Sequence, residues 1–395
     1  MADSYFPASD RKGGWRRATS ARKARREAGV DLDGLEAAFD YARGNTKNGG
    51  LVVVRHGWLA YEKYFGKGHA ENAPNLASCG KSFTSIATGI LMAEYPEFFP
   101  KGLDQEVFRS THLPPKAFPL VDKRKADIKL GQLLSFTAGI RGNNPCYVDG
   151  KPVDIDPLGP DGWQGMEDGR ALGVIDDEFS DGRPFTAKTL WCDPGGGYSY
   201  ATASIHTASI IVRHLAQVEM ETYLRERVGN RIGWEGWGFG YKNTEARSHT
   251  PGGGGIAIRG TDMARFLYML LHGGAWDSEQ IVPESYVRQC ANPSPYNPHF
   301  PYSLQFTVNA MGEAPAAPRD AYWKAGSGGH ALCVVPSLDL VVWKLGGRDE
   351  QYSEKNTGLP EHSTRDDREG WEKLAEDDGE ALKKTLEMVC ASVVG

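Results

Sequence analysis

Segments that read as β-strands lie near the two ends of this 395-residue chain, and a helical, loop-rich region separates them. Near the front, residues 51–54 and 58–65 flank a His56-Gly57 turn in LVVVRHGWLAYEKYF. Near the back, strand-like runs cover about 302–308, 332–335 and 338–344. Consecutive strands joined by short turns argue for an antiparallel sheet, and one sheet can hold both sets only if the early hairpin lies beside the late strands. Leu32, Leu35, Phe39 and Ala42 recur at helical spacing with Gly44 as a stop, and a final helix is expected at about 371–393. These terminal helices can cover one face. The expected class is therefore α+β: an antiparallel sheet flanked by helices, plus an all-helical lobe. The expected boundaries are an N-terminal arm at 1–29, an α/β domain from 30–107 and 245–395, and a helical domain at 108–244.

The middle region reads unevenly. Residues 128–136 form a short helical segment, and 139–188 turns to Gly, Pro and Asp with little periodicity, a length at which loops are often functional. A helix is expected at about 204–217, then a Trp/Gly-rich loop, GWEGWGFGY. Thr261 reads as the cap of a strong helix carrying Met263, Phe266, Leu267, Leu270 and Leu271, with Gly273 behind it. The charged stretch 348–369 reads as a surface insertion.

Composition removes several function classes. A net charge of −6 points away from nucleic acid, and the basic run 16–26 reads as a solvated face. No run approaches the roughly 18 apolar residues of a membrane span. The N-terminal sequence has no apolar signal region, which fits a cytoplasmic chain or an exported one without its leader. The six cysteines are scattered without a Cys-x-x-Cys pair, and the ten histidines form no His-Glu-x-x-His pattern. Free thiols, no metal and no cofactor are expected. The oligomeric state is open.

Ser-x-x-Lys occurs three times, at Ser9/Lys12, Ser20/Lys23 and Ser78/Lys81. The first two lie in the polar N-terminal arm, where nothing would dry the lysine. Ser78 opens a helix with Phe83, Ile86, Ala87, Ile90 and Leu91 at apolar spacing and Pro96 beyond its end. Residues three apart on a helix are neighbours, and the first turn offers unpaired N–H groups to a developing oxyanion. A lysine in water, with a pKa near ~10.4, is a poor base at neutral pH, so the pair needs a partly dry cleft. An N-cap serine beside an exposed lysine is the competing reading of these residues alone.

Five segments in order carry a resemblance: SCGK at Ser78, IKLGQLLSFTAGI from Ile128, PGGGYSY from Pro194, GGGGIAIRGTDMARFL, and KAGSGGHALCVVPSLDLVV from Lys324. Together they resemble the serine β-lactamase and penicillin-binding-protein superfamily, especially the class C β-lactamase-related esterases and 6-aminohexanoate-oligomer hydrolases, over about residues 50–342. The resemblance implies a β-lactamase/transpeptidase-like fold. It implies Ser78 as the acylated nucleophile and Lys81 as its proton acceptor. Tyr200 matches the catalytic tyrosine of the second motif, with Tyr198 the packing residue unless the register slips by two. Lys324-Ala325-Gly326 matches the third motif, so the N–H groups of Ser327 and Ser78 would form the oxyanion hole. The motif departs from the family in Thr202, where the family has Asn, and in Ala325, where it has Thr. Both departures weaken the antibiotic reading and leave acyl transfer intact.

The expected activity is ester hydrolysis through an acyl-enzyme, with a small ester or amide as substrate and weak or absent β-lactam hydrolysis. Amide hydrolysis, or a catalytically inactive binding member, are the alternatives. Tyr147, Trp163, Trp191, Trp234 and Trp237 could wall an acyl pocket or could be packing. Cys79 is expected to be buried and inert. Ala325-Gly326-Ser327-Gly328-Gly329, with Asp339 and His362 downstream, also resembles an α/β-hydrolase nucleophile elbow. That element needs a strand before it and a helix after it, whereas ALCVVP follows here.

Overall fold

The computed structural model describes residues 5–120, 122–155, 190–240, 249–363 and 378–394. In chain order, helix α1 (Leu32–Asn45) leads to strands β1 (Gly49–Arg55) and β2 (Trp58–Phe65) and helix α2 (Gly80–Glu94). The middle contains helix α3 (Leu130–Leu134), strands β3 (Asn143–Val148), β4 (Lys151–Val153) and β5 (Tyr198–Tyr200), helix α4 (Thr202–Ala216), and strands β6 (Trp237–Phe239) and β7 (Ile256–Ile258). Helix α5 (Gly260–Leu271) follows, then strands β8 (Ala275–Trp276), β9 (Glu279–Gln280), β10 (Thr307–Val308), β11 (Tyr322–Gly326), β12 (His330–Val335) and β13 (Leu340–Leu345), and helix α6 (Asp378–Ala391).

The main sheet is antiparallel, in the order β10-β11-β12-β13-β1-β2. The early hairpin thus joins the late strands, with Gly50 opposite Leu345 and Arg55 opposite Leu340. Side chains alternate across the sheet. Leu51 and Val53 pack with Leu35, Phe39, Leu382, Leu386 and Val389 of α1 and α6. Val52 and Val54 face the core that contains Phe83 and Ile86 of α2 and Met263 and Phe266 of α5. Cover on both faces explains why β1, β12 and β13 are buried at every position and read as continuous apolar runs.

Several local expectations are corrected. Part of the 139–188 stretch is ordered as a hairpin: β3 pairs with β4 and with β5. Asn and Pro in NNPCYV hid that strand from pattern reading. The GWEGWGFGY segment supplies β6, paired with β7. Thr261 does not cap α5. Arg259 holds that position, and the Thr261 hydroxyl donates to Asp10 at 2.6 Å. Asp10 also pairs with Arg259 at 3.1 Å and Arg265 at 2.6 Å, and the Trp15 indole donates to the Thr261 carbonyl at 3.2 Å. The N-terminal segment is therefore packed onto α5, although Arg17, Arg22, Arg25 and Arg26 stay exposed. Trp163, residues 364–369 of the charged stretch and the start of the last helix at 371–377 lie outside the described residues.

Candidate active site

The Ser78 turn is built by backbone restraint. Ala77, immediately before it, has φ of +48°, a region that L-residues other than Asn and Asp seldom occupy. The Ala77 N–H donates to the Asn75 side chain at 2.9 Å, and the Leu76 N–H donates to the Ile256 carbonyl at 2.8 Å. A short 3-10 turn, Ala77–Cys79, then runs into α2 and leaves Ser78 half-buried at its head.

Lys81, one turn later, is 1% exposed. Its Nζ lies 3.0 Å from Ser78 Oγ and donates to the Gly253 carbonyl at 2.7 Å. The PGGGGI run thus supplies the carbonyl that steadies Lys81. Its backbone closes on the helix start, since a Cβ added to Gly80 would lie 2.8 Å from Gly254 Cα. Nothing in the glycine run itself marks that carbonyl.

A second lysine completes the arrangement. Lys324 on β11 is buried, and its Nζ donates to the Tyr200 hydroxyl at 2.9 Å and to the Tyr302 hydroxyl at 2.8 Å. Burial, and then the neighbouring Lys81, hold the Lys324 ammonium well below the ordinary lysine range. Lys81 Nζ and Lys324 Nζ sit 5.1 and 4.6 Å from the Tyr200 ring centroid, so two lysines flank one phenol. Tyr198 points elsewhere. It is buried and stacks on Phe300 at 4.6 Å, with Phe136, Tyr147 and Tyr302 around it. Tyr302 had no sequence signal beyond a strand-like run; only the fold brings it to Lys324.

β11 ends against the Ser78 turn. A Cβ on Gly326 would press into the Leu76 carbonyl oxygen and lie 3.0 Å from Cys79 Sγ and 3.2 Å from Cys79 N. Gly326 pairs with His330, and the chain reverses through Gly328 and Gly329, both at positive φ. The Gly326 carbonyl accepts the Gly329 N–H at 3.2 Å, inside the turn. In a trans peptide the next N–H points the opposite way, so the Ser327 N–H faces out of the turn. Strand, turn and strand also remove the nucleophile-elbow alternative. Asp339 lies beyond the far end of β12 from Ser327, pairs with His56 at 2.7 Å, and is about 17 Å away by strand rise. His362 bonds to the Glu71 carbonyl.

The remaining predicted residues divide. Ala325 is exposed between buried neighbours of β11, and Thr202 is buried in the first turn of α4. Tyr147 is half-buried against Tyr198 and Phe300, and Trp191 is half-buried against Gly197. Trp234 and Trp237 are corrected to core residues. Trp234 packs against Phe83 and Phe266 and donates to the Asp262 carbonyl at 2.8 Å, with Trp237 beside it. Phe83 lies about 200° around α2 from Lys81, so this pair sits behind the helix rather than in the cleft. Burial pushes the Cys79 thiol up to about 12, which leaves it without nucleophilic thiolate.

Ser-x-x-Lys at a helix head, with an antiparallel strand lying across it, defines the serine β-lactamase-like class of hydrolases. The chain belongs to the Beta-lactamase family, whose sequence model matches residues 32–356. Among solved structures, it is similar to a penicillin-binding protein homologue from Caulobacter crescentus (13% identity, TM-score 0.64, covering 92% of this chain and 99% of that one). It is also similar to EstCE1, a hydrolase with promiscuous acyltransferase activity (16%, 0.64, 90% and 98%). A third is a proposed 6-aminohexanoate-dimer hydrolase from Bacillus anthracis (20%, 0.56, 87% and 81%). A comparison with curated proteins finds no match. Among the described residues no helix is long and apolar enough to cross a membrane, and no cluster of His, Cys, Asp and Glu is placed to hold a metal.

Proposed function

We propose that the protein is a serine hydrolase that cleaves small carboxylic esters through an acyl-enzyme on Ser78. The carrying observation is the double pairing in one cleft: Lys81 on Ser78 Oγ at 3.0 Å and Lys324 on the Tyr200 hydroxyl at 2.9 Å. Lys81 takes the Ser78 proton as Oγ attacks the ester carbonyl. The oxyanion forms against the N–H groups of Ser78 and Ser327, each worth roughly 2.7–4 kcal/mol in comparable sites. Tyr200 gives its proton to the leaving alkoxide and recovers one from Lys81. Water then enters by the reverse proton path, its oxygen attacks the acyl carbon, and Ser78 is released.

Two observations favour esters over β-lactams. Ala325 offers a methyl group at the exposed position of β11, so the substrate-carboxylate contact of the antibiotic hydrolases is missing. Thr202 is buried at the start of α4. An alkoxide also leaves more readily than an amine, so ester cleavage asks less of the general acid. Amide cleavage is the second reading, supported by the likeness to the Bacillus anthracis protein. Fluorophosphonate labelling, with the adduct mapped by mass spectrometry, tests the acyl-enzyme. A panel of p-nitrophenyl esters, linear amides and a chromogenic β-lactam tests the substrate class. The absence of Ser78-dependent turnover on all three would leave an inactive binding protein as the reading.

A further inference from the structure

Residues 348–363 are not a detached surface insertion. The 3-10 turn Asp349–Tyr352 carries Gln351, which is 8% exposed. The Gln351 carboxamide reaches two separate segments. Its Nε2 donates to the Asn75 carbonyl at 2.9 Å and to the Ser327 carbonyl at 3.1 Å, while its Oε1 accepts the Arg348 N–H at 2.9 Å. The Arg348 N–H is a donor and the two carbonyls are acceptors, so this network fixes the amide orientation. The Gln351 backbone carbonyl also accepts the Asn75 N–H at 2.8 Å. His330 is buried alongside, and its Nδ1 accepts the Gly346 N–H at 3.1 Å, which puts the ring proton on Nε2. The 3.3 Å approach of that nitrogen to Gln351 Nε2 therefore sets donor beside donor and is not counted as a bond.

We infer that Gln351 is a positioning residue for the oxyanion pair. Asn75 lies three residues before Ser78, and Ser327 carries the second N–H, so one planar amide spans the two walls of the hole. Gly326 packed on Cys79 stops the walls from closing further, and Gln351 stops them from separating. The Ser327 turn has other inward ties: the Gly328 carbonyl accepts the Gly347 N–H at 2.7 Å, and the Gly329 carbonyl accepts Lys344 Nζ at 2.6 Å. On the Ser78 side, His330 also bonds to the Asn75 backbone and Cys79 Sγ donates to the Lys324 carbonyl at 3.4 Å, but Gln351 joins Asn75 to Ser327 itself. The inference rests on the acyl-enzyme reading above. It adds that the separation of the two donors is set by a residue that touches neither substrate nor nucleophile.

The test uses Gln351→Met and Gln351→Glu in the full chain. Both keep the side-chain length and remove the two amide donors. Active sites are titrated with a fluorophosphonate, and kcat per titrated site is measured with a p-nitrophenyl ester. The affinity of a boronic acid, whose tetrahedral adduct places an oxygen in the hole, is measured beside it. Misplacing a catalytic group by ~1 Å can cost about 100-fold. The expected result is a loss of about 10- to 100-fold in kcat per site, with KM within about twofold and boronate affinity falling in parallel. A purely structural role would reduce the number of titratable sites and the thermal midpoint and leave kcat per site unchanged; that result overturns the inference while the acyl-enzyme reading stands. Wild-type protein that is not labelled at Ser78 overturns both. If neither variant folds, hydrogen exchange on the wild-type protein decides. Joint opening of 349–352, 75–78 and 326–329 supports the tie, and opening of 349–352 alone refutes it.

Discussion

Gly326→Ala tests whether the close approach of β11 to the Ser78 turn organises catalysis. The added methyl would meet the Leu76 carbonyl oxygen well inside van der Waals contact, with Cys79 Sγ at 3.0 Å and Cys79 N at 3.2 Å behind it. Two of these atoms are backbone, and the fully buried Cys79 Sγ is held by its bond to the Lys324 carbonyl at 3.4 Å. The strand end must therefore retreat by about 1 Å to restore ordinary contact near 3.5 Å, and the Ser327 N–H retreats with it. A displacement of that size at a reacting centre costs on the order of 100-fold, or ~2.7 kcal/mol of barrier. Overpacking should also cost about 1–3 kcal/mol of stability. The assay is kcat and KM on a p-nitrophenyl ester, with thermal unfolding in parallel. Gly44→Ala is the control: α1 leaves nothing within 4 Å of a Cβ there and the position has no positive φ. It should keep kcat and gain up to ~1 kcal/mol. A folded Gly326→Ala enzyme with kcat within about threefold of wild type would refute the reasoning.

Other outcomes follow from the same geometry. Tyr302→Phe removes one acceptor from Lys324 and the donor to Gln305 Oε1 at 2.9 Å, so it should cost about 1–3 kcal/mol in chemical denaturation while reducing kcat less than Tyr200→Phe. Lys324 has a folded pKa below its unfolded value of 10.5. The unfolded chain thus takes up a proton first as pH falls, and stability should drop from about pH 10.5 down to the folded pKa; Lys324→Met should flatten that limb of the thermal midpoint profile. Burial holds His206 and His330 down to about 3. Both should therefore take up protons on acid unfolding, stability being lost as pH falls from about 6.5 toward 3, and a proton-uptake measurement checks the count. Asp10→Ala should cost about 1.5–3 kcal/mol by removing charged hydrogen bonds to Arg259 and Arg265, visible as a lower midpoint in denaturant.

The fold and the head of the site were legible in the sequence because their signals are local or periodic. Continuous Val runs follow from strands covered on both faces, and the apolar spacing behind Ser78 separates it from the Ser-x-x-Lys copies at Ser9 and Ser20. The ordered motifs mark Tyr200 and Lys324 as candidates. Elements with weak local signals escaped: β3 carries Asn and Pro, and β6 was concealed among glycines and tryptophans. Trp234 and Trp237 show the opposite failure, since large aromatics in a glycine-rich segment look equally suited to a pocket wall or a core.

By itself, the sequence determined the apolar strands of the main sheet and which helix bears the candidate nucleophile. Only the tertiary structure decided what surrounds them. Tyr302 lies 22 residues from Lys324 and meets it through one hydrogen bond; Gly253 lies 172 residues from Lys81. Gln351 stands 276 residues from Asn75 in a stretch whose charge suggested solvent. Periodicity records which face of an element is buried. It does not record which distant carbonyl a buried amide or lysine will meet, because that is fixed when the two ends of the chain join in one sheet.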